Sequence, residues 1–215
     1  MYQYLLFDLD GTLTDPKEGI CKSFCYALEG FGIQEKEENL LKVIGPPLID
    51  SFQEFYGMSK DDGQKAVERY RERFSVKGWR ENRVYEGIPE LLEELHRQGK
   101  TLCLATCKPE VFAKKILDLF SLTKYFSVMV GAELDGTRNY KNEVIEEVLR
   151  QLGNPPKESV LMIGDRKQDI EGARACGIPC MGVRFGCAEE GELEGAGGAD
   201  LYAETVEEMK ILLTK

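Results

Sequence analysis

Histidine is almost missing from this chain: His96 is the sole example in 215 residues. That disfavours a zinc centre built from several imidazoles, and His96 itself sits in a helical pattern and reads as a surface residue. No apolar run approaches the ~20 residues a membrane span needs. Met1-Tyr2-Gln3 leads straight into an apolar segment without a basic n-region, so no secretory leader is expected. No Cys-x-x-Cys pair occurs. The seven cysteines are odd in number, and Cys21, Cys25, Cys103 and Cys107 lie inside apparent helices or strands. They read as small buried hydrophobes, reduced, in a cytoplasmic protein, rather than as a disulfide framework. Positive charge is also scarce, with Lys+Arg 28 against Asp+Glu 38 and a net charge of -10. Nucleic acid and anionic membranes are disfavoured as partners, although a local basic pocket for a small anion remains compatible.

What is present is ordinary for a globular protein: 42% hydrophobic and 31% charged residues. The mass of 24.3 kDa predicts about 10,000 Å² of folded surface and about 70% burial, enough for a full core and a small second lobe. A monomer is expected, with a homodimer as the alternative. Short apolar runs alternate with helical patterns, which predicts an α/β fold: a Rossmann-like parallel sheet wrapped by helices. Strands are expected at about 4–8, 101–106, 126–131, 159–164, 179–183 and 200–202. Helices are expected at about 88–98, 109–119, 140–152, 167–176 and 204–213. Between the first two strands the pattern is helical throughout, at 17–31, 36–43, 47–56 and 60–77, with breaks at Gly32, Gly45-Pro46-Pro47 and Gly57. This places a helical cap domain, 17–82, inside a core domain of 1–16 and 83–215. An insertion at that point would sit over the carboxyl edge of the sheet as a lid. The glycine-rich stretch 191–198 reads as a surface loop.

The chemistry gathers at strand ends. Tyr4-Leu5-Leu6-Phe7 is an apolar strand that runs into Asp8-Leu9-Asp10-Gly11-Thr12. Residues i and i+2 of a strand share a face, and two carboxylates so placed repel unless a cation or a shared proton neutralises them. A hard metal such as Mg²⁺ suits them. A second apolar strand, Val160-Leu161-Met162-Ile163, delivers Gly164-Asp165, with Asp169 one helical turn later. A third, Thr101–Ala105, ends in Thr106, followed by Cys107-Lys108-Pro109 at a helix start, where backbone N–H groups bind phosphate. Lys141 opens another helix, where the dipole disfavours a cation, so an anionic partner is expected. All four positions map to the carboxyl edge of one sheet, where open α/β folds bind ligands. A metal, a lysine, N–H donors and an attacking carboxylate fit phosphoryl transfer, and an aspartate nucleophile would split hydrolysis into two steps through an aspartyl-phosphate.

In order along the chain, Asp8-Leu9-Asp10-Gly11-Thr12, Thr106, Lys141 and Gly164-Asp165-Arg166-Lys167-Gln168-Asp169 resemble the four motifs of the haloacid dehalogenase superfamily, in its phosphatase branch. The helical insertion resembles that family's first type of cap. Val43–Leu48, Val84–Ile88 and Leu134–Arg138 look like bacterial phosphoglycolate phosphatases or 5'-nucleotidases. The resemblance implies a Mg²⁺-dependent phosphatase of a small phosphorylated metabolite: phosphoglycolate, a nucleoside monophosphate or a sugar phosphate. It implies Asp8 as nucleophile and Asp10 as general acid and base, with Asp8, Asp10, Asp165 and Asp169 around the metal. Asp10 would contribute its backbone carbonyl, and Asp169 would act directly or through water. Thr106, Cys107 and Lys141 would hold the phosphate, and Thr12 would stabilise the turn. Crowding by Asp8, Asp165 and phosphate is expected to raise the Asp10 pKa. Glu18, Lys22 and Lys108 could each touch the leaving group but read rather as solvated charges, and the Gly45-Pro46-Pro47 loop reads equally as substrate contact or helix punctuation. The alternative on the same core is a phosphomutase resembling β-phosphoglucomutase, which would isomerise a sugar phosphate with little phosphate release. A phospho-accepting receiver module shares an Asp, a Thr and a Lys, but is shorter and has no helical lid.

Overall fold

The computed structural model describes residues 2–214. In chain order the elements are β1 (Tyr4–Phe7), β2 (Thr14–Asp15), α1 (Lys17–Glu29), α2 (Leu48–Tyr56), α3 (Lys60–Phe74), β3 (Arg83–Val84), α4 (Ile88–Arg97), β4 (Thr101–Pro109), α5 (Glu110–Leu119), β5 (Phe126–Ala132), α6 (Lys141–Gln151), β6 (Val160–Gly164), α7 (Lys167–Cys176), β7 (Cys180–Val183), α8 (Glu192–Gly195), β8 (Leu201–Ala203) and α9 (Val206–Thr214). Six strands form one parallel sheet in the order β5-β4-β1-β6-β7-β8. Strand order runs one way from β1 to β5 and the other way from β6 to β8, so it reverses beside β1. The accessible surface, 9875 Å², agrees with the expectation from mass.

Period-2 alternation sorts the strand residues between two apolar layers. Leu5, Phe7, Leu102, Leu104, Leu161 and Ile163 pack with Leu91, Leu92 and Leu95 of α4, Ile116 of α5 and Met209 of α9. Leu6, Cys103, Ala105, Val160 and Met162 face the other way, onto Val144, Ile145 and Val148 of α6 and Ile170 and Ala173 of α7. Covering both faces is why these strands read as unbroken apolar runs.

Helices α1, α2 and α3 enclose a third apolar cluster. Phe24 stacks on Phe52 at 4.1 Å between ring centroids and meets Tyr70 edge-on at 6.3 Å. The cluster continues onto the sheet side through Phe74, which meets Phe112 of α5 edge-on at 5.3 Å.

Three expectations are corrected. Residues 36–43 form two 3₁₀ turns, Glu37–Asn39 and Leu41–Val43, rather than a helix. The run is too short between the charged Lys36–Glu38 and the Gly45-Pro46-Pro47 break, and neither turn has a side-chain cap. The third stretch, 60–77, ends as a helix at Phe74 and gives way to a 3₁₀ turn, Gly78–Arg80. Within 191–198 the chain makes the short helix α8, which buries Leu193 against the sheet's second layer. The antiparallel pair β2–β3, with Thr14 opposite Val84 and Asp15 opposite Arg83, was not expected. It ties together the two points where the chain leaves and rejoins the sheet.

Candidate active site

β1 is held between β4 and β6, and the Asp8 N–H continues that pairing by donating to the Ile163 carbonyl at 2.9 Å. The chain then turns at Gly11, whose φ is +83°. A Cβ there would collide with the Asp165 carboxylate, so glycine is required by both backbone and space. Thr12 Oγ1 donates to Asp165 Oδ1 at 3.2 Å, which extends its expected role in the turn. The Cys187 N–H donates to Asp165 Oδ2 at 2.7 Å, and the Arg166 N–H donates to Asp169 Oδ2 at 3.0 Å.

Asp8, Asp165 and Asp169 are buried, and each offers an oxygen within 4.8 Å of the others. Lys141 Nζ sits among them, 2.9 Å from Asp8 Oδ1 and 2.7 Å from Asp169 Oδ1, and donates to the Ala105 carbonyl at 3.0 Å. Gly172 of α7 makes room for the Lys141 stem. Lys141 thus has the anionic partners its helix-start position called for. Burial alone would lower the Lys141 pKa, but Asp169 and Asp8 raise it well above its ordinary value. Burial, then Asp169 and Asp8, raises Asp165 well above the carboxylate range. Burial likewise raises Asp169, against the opposing pull of Lys141.

Three buried carboxylates with a single ammonium, which pairs with two of them, carry more negative charge than the protein neutralises and fit a hard divalent cation. Such an ion takes oxygen ligands and would reverse the pressure that now favours protonation. The donor set holds no sulfur or imidazole, which suits a hard cation better than a softer metal.

Asp10 is placed differently. Its carboxylate stands outside this group and pairs with Lys108 Nζ. Lys108 is 9% exposed, with its ammonium 5.0 Å from the centroid of Phe74. The expectation of a solvated Lys108 is therefore wrong. β4 extends to Pro109, with a register shift after Ala105, and Lys108 and Thr106 both line the cleft; their spacing of two residues was the available signal. The Asp10 pKa is raised, as expected, but the main cause is burial, opposed by Lys108; Asp8 contributes less. Thr106 Oγ1 accepts from the Lys108 N–H at 3.2 Å. The Cys107 thiol, pushed up to about 12 by burial, stays protonated. Glu18 and Lys22 pair with each other at 2.7 Å on the surface, as solvated charges do, and His96 is exposed, edge-on to Tyr125.

Asp8, Asp10, Thr106, Cys107 and Lys108 line one wall of a cleft of about 1080 Å³, open solvent at its mouth included. Facing them are Gly45-Pro46-Pro47 and a side of α3 carrying Val67, Tyr70 and Phe74, with Gln64 and Arg71. The Gly45 loop therefore contributes to the cleft. Sequence reasoning missed Arg71 and the Cys187 N–H; the latter has no side-chain signature.

Comparison with known proteins agrees with this geometry. The model of the haloacid dehalogenase-like hydrolase family matches residues 5–183. A 5'-nucleotidase of Pseudomonas aeruginosa is 49% identical over 193 residues, 89% of this chain and 87% of that protein. The tyrosine-protein kinase PtkA of Mycobacterium tuberculosis is 38% identical over 185 residues; the match spans 86% of this chain and 62% of the kinase. The crystal structure of a predicted phosphatase from Clostridium acetobutylicum superimposes with a TM-score of 0.95 at 43% identity, over 99% of this chain and 98% of that one. Acid triad, lysine, sheet edge and relatives converge, and the chain belongs to the haloacid dehalogenase-like hydrolase family as a phosphatase acting on a small phosphorylated substrate.

Proposed function

We propose that the protein is a Mg²⁺-dependent phosphomonoesterase that works through an aspartyl-phosphate, with residues 17–82 as a cap over a core of 1–16 and 83–215. Its substrate is a small phosphomonoester: phosphoglycolate, a nucleoside monophosphate or a sugar phosphate. The observation that carries the reading is the separation of the two strand-end carboxylates. Asp8 lies in the group formed with Asp165, Asp169 and Lys141, while Asp10 faces Lys108. That separation supports a division of their work between nucleophile and proton carrier.

Asp8, Asp165 and Asp169, with the Asp10 backbone carbonyl, would hold Mg²⁺, which supplies charge neutralisation to the phosphoryl oxygens. Thr106, the Cys107 N–H and Lys141 receive the phosphate. A carboxylate oxygen of Asp8 attacks phosphorus, the bond to the leaving oxygen breaks, and Asp10 gives that oxygen its proton. Water then attacks phosphorus, Asp10 takes back a proton, and the bond to Asp8 breaks to release orthophosphate. Burial favours the protonated Asp10 that the first step needs. Lys108 stabilises the ionised form left behind.

Asp8→Asn is expected to stop phosphate release while leaving the circular dichroism spectrum unchanged. Substantial turnover in that variant would remove Asp8 from the nucleophile's role, and full activity in EDTA would remove the metal.

A further inference from the structure

The wall of the cleft contributed by α3 has an unbalanced charge. Gln64, Val67, Arg71 and Phe74 recur at helical spacing on one side of α3, and all line the cleft with Tyr70. Val67, Tyr70 and Phe74 are apolar and buried. Arg71 is the charged residue on that side, a half-buried guanidinium. Its Nη1 donates to the Leu134 carbonyl at 3.1 Å, the one protein acceptor it has among the described residues. Its Nε is buried without a partner. No carboxylate pairs with it among the described residues, and Glu68, the one acid whose charge reaches it, is not in the cleft wall.

The other charged groups of the cleft are already engaged. Lys108 is taken by Asp10. Glu133 pairs with Arg138, and Asp135 accepts from the Thr137 N–H at 2.9 Å and from its hydroxyl at 2.7 Å. Asp8 faces Lys141. Half-buried cations normally carry a counter-ion, so a cation without one, on the wall of a substrate cleft, is a place for an anionic oxygen of the ligand.

We propose that Arg71 is a specificity-determining residue: it binds a second anionic group carried by the leaving group, distinct from the phosphate being removed. The inference rests on the phosphomonoesterase reading of the cleft. It narrows the substrate class to phosphomonoesters that also bear a carboxylate or a second phosphate, and it counts against leaving groups without charge.

The test compares substrates that differ in that charge, a carboxylate against a hydroxymethyl group on the same skeleton: 2-phosphoglycolate with 2-hydroxyethyl phosphate, 3-phosphoglycerate with glycerol 3-phosphate, and 6-phosphogluconate with glucitol 6-phosphate. The native protein is expected to favour the charged member of at least one pair by about tenfold or more in kcat/KM, the size of one charged hydrogen bond. Arg71→Gln should erase that preference through KM while changing the uncharged member by less than about threefold. Arg71→Lys should keep the larger part of it. No preference in any pair, or an equal fall for both members in Arg71→Gln, would overturn the proposal, as would Arg71→Lys behaving like Arg71→Gln, since the Leu134 contact would then explain the effect. Calorimetric binding of the same pairs to Asp8→Asn reads Arg71 without chemistry. Failure of the native protein to turn over any member of the pairs would count against the phosphomonoesterase reading, whereas absence of discrimination in binding counts against Arg71.

Discussion

Lys108 touches both sides of the cleft: its ammonium pairs with Asp10 at the sheet edge and lies over the Phe74 ring at the end of α3. Replacing it by methionine keeps the stem packed and deletes the charge, leaving Asp10 buried with no counter-ion. The proton carrier would then be held more firmly in its protonated form, because burial already raises its pKa and Lys108 opposes that rise. Protonated Asp10 can still donate, but it becomes a poor base for the water step. We expect Lys108→Met to lower kcat about ten- to hundredfold, less than outright loss of an acid–base group, because Asp10 itself remains. A transient burst of alcohol release, measured by quench flow, should show the second step becoming slower than the first. Equal slowing of both steps would assign Lys108 to substrate binding instead. Gly11 gives a second expectation at this scale. With φ at +83° and Asp165 against its Cα, Gly11→Ala strains the turn and displaces a proposed metal ligand. A loss of about 1–3 kcal/mol of stability, read by denaturant titration, should accompany weakened Mg²⁺ dependence.

Among the elements, the junction between α3 and the β2–β3 pair is held by charge. Arg73 grips Glu81 with two bonds, 2.7 and 2.9 Å, and also donates to Ser23 Oγ of α1 at 3.1 Å. The Glu81 carbonyl accepts from the Gly19 N–H at 3.0 Å, so one short segment fastens α1 and α3 to the returning chain. The Arg73 bonds hold the Glu81 pKa below its ordinary 4.5. A depressed carboxylate stabilises the fold above its unfolded pKa, and that stabilisation disappears as pH falls through the folded value. Arg73→Met should therefore cost about 1–2 kcal/mol near neutrality. The loss should shrink below pH 4.5 as Glu81 protonates in both proteins; urea melts at several pH values would measure it, and a loss that stays constant would assign the effect to packing of the arginine stem. The elements themselves were legible to different degrees. Strands such as Leu102–Ala105 and Val160–Ile163 announced themselves because both faces are covered. Helices with clear breaks, such as Lys167–Cys176 before Gly177, were placed closely. The 3₁₀ turns at 37–43, the two-residue strands β2 and β3 and the four-residue helix α8 were not, because each is shorter than the period that would reveal it and is fixed by contacts distant in sequence.

For the whole molecule, the residues proposed for catalysis could be gathered from the sequence because strand ends project them to one edge, whereas the cleft wall could not. Arg71 and the Gly45 loop acquire meaning only when α3 lies opposite β4. The same assembly concentrates Asp8, Asp165 and Asp169 in one buried place, with a consequence for stability. Asp165 and Asp169 have folded pKa values above their unfolded ones. Their contribution to stability is greatest below the unfolded carboxylate range and is lost as pH rises through the folded values. A bound divalent cation acts in the opposite sense, because it needs the ionised ligands and competes with protons for them. The metal-free protein should thus lose stability from this cluster as pH rises, while added Mg²⁺ should restore more of it the higher the pH. Scanning calorimetry of the EDTA-treated protein with and without Mg²⁺, at about pH 5 and about pH 8, should give the larger upward shift in Tm at the higher pH. Asp165→Asn should abolish the Mg²⁺-induced shift and raise the Tm of the metal-free protein more at about pH 8 than at about pH 5, because it removes a carboxyl whose ionisation is opposed by burial and by Asp169 and Asp8. A shift of the same size at both pH values, or one that survives in Asp165→Asn, would place the stabilising cation somewhere other than this triad.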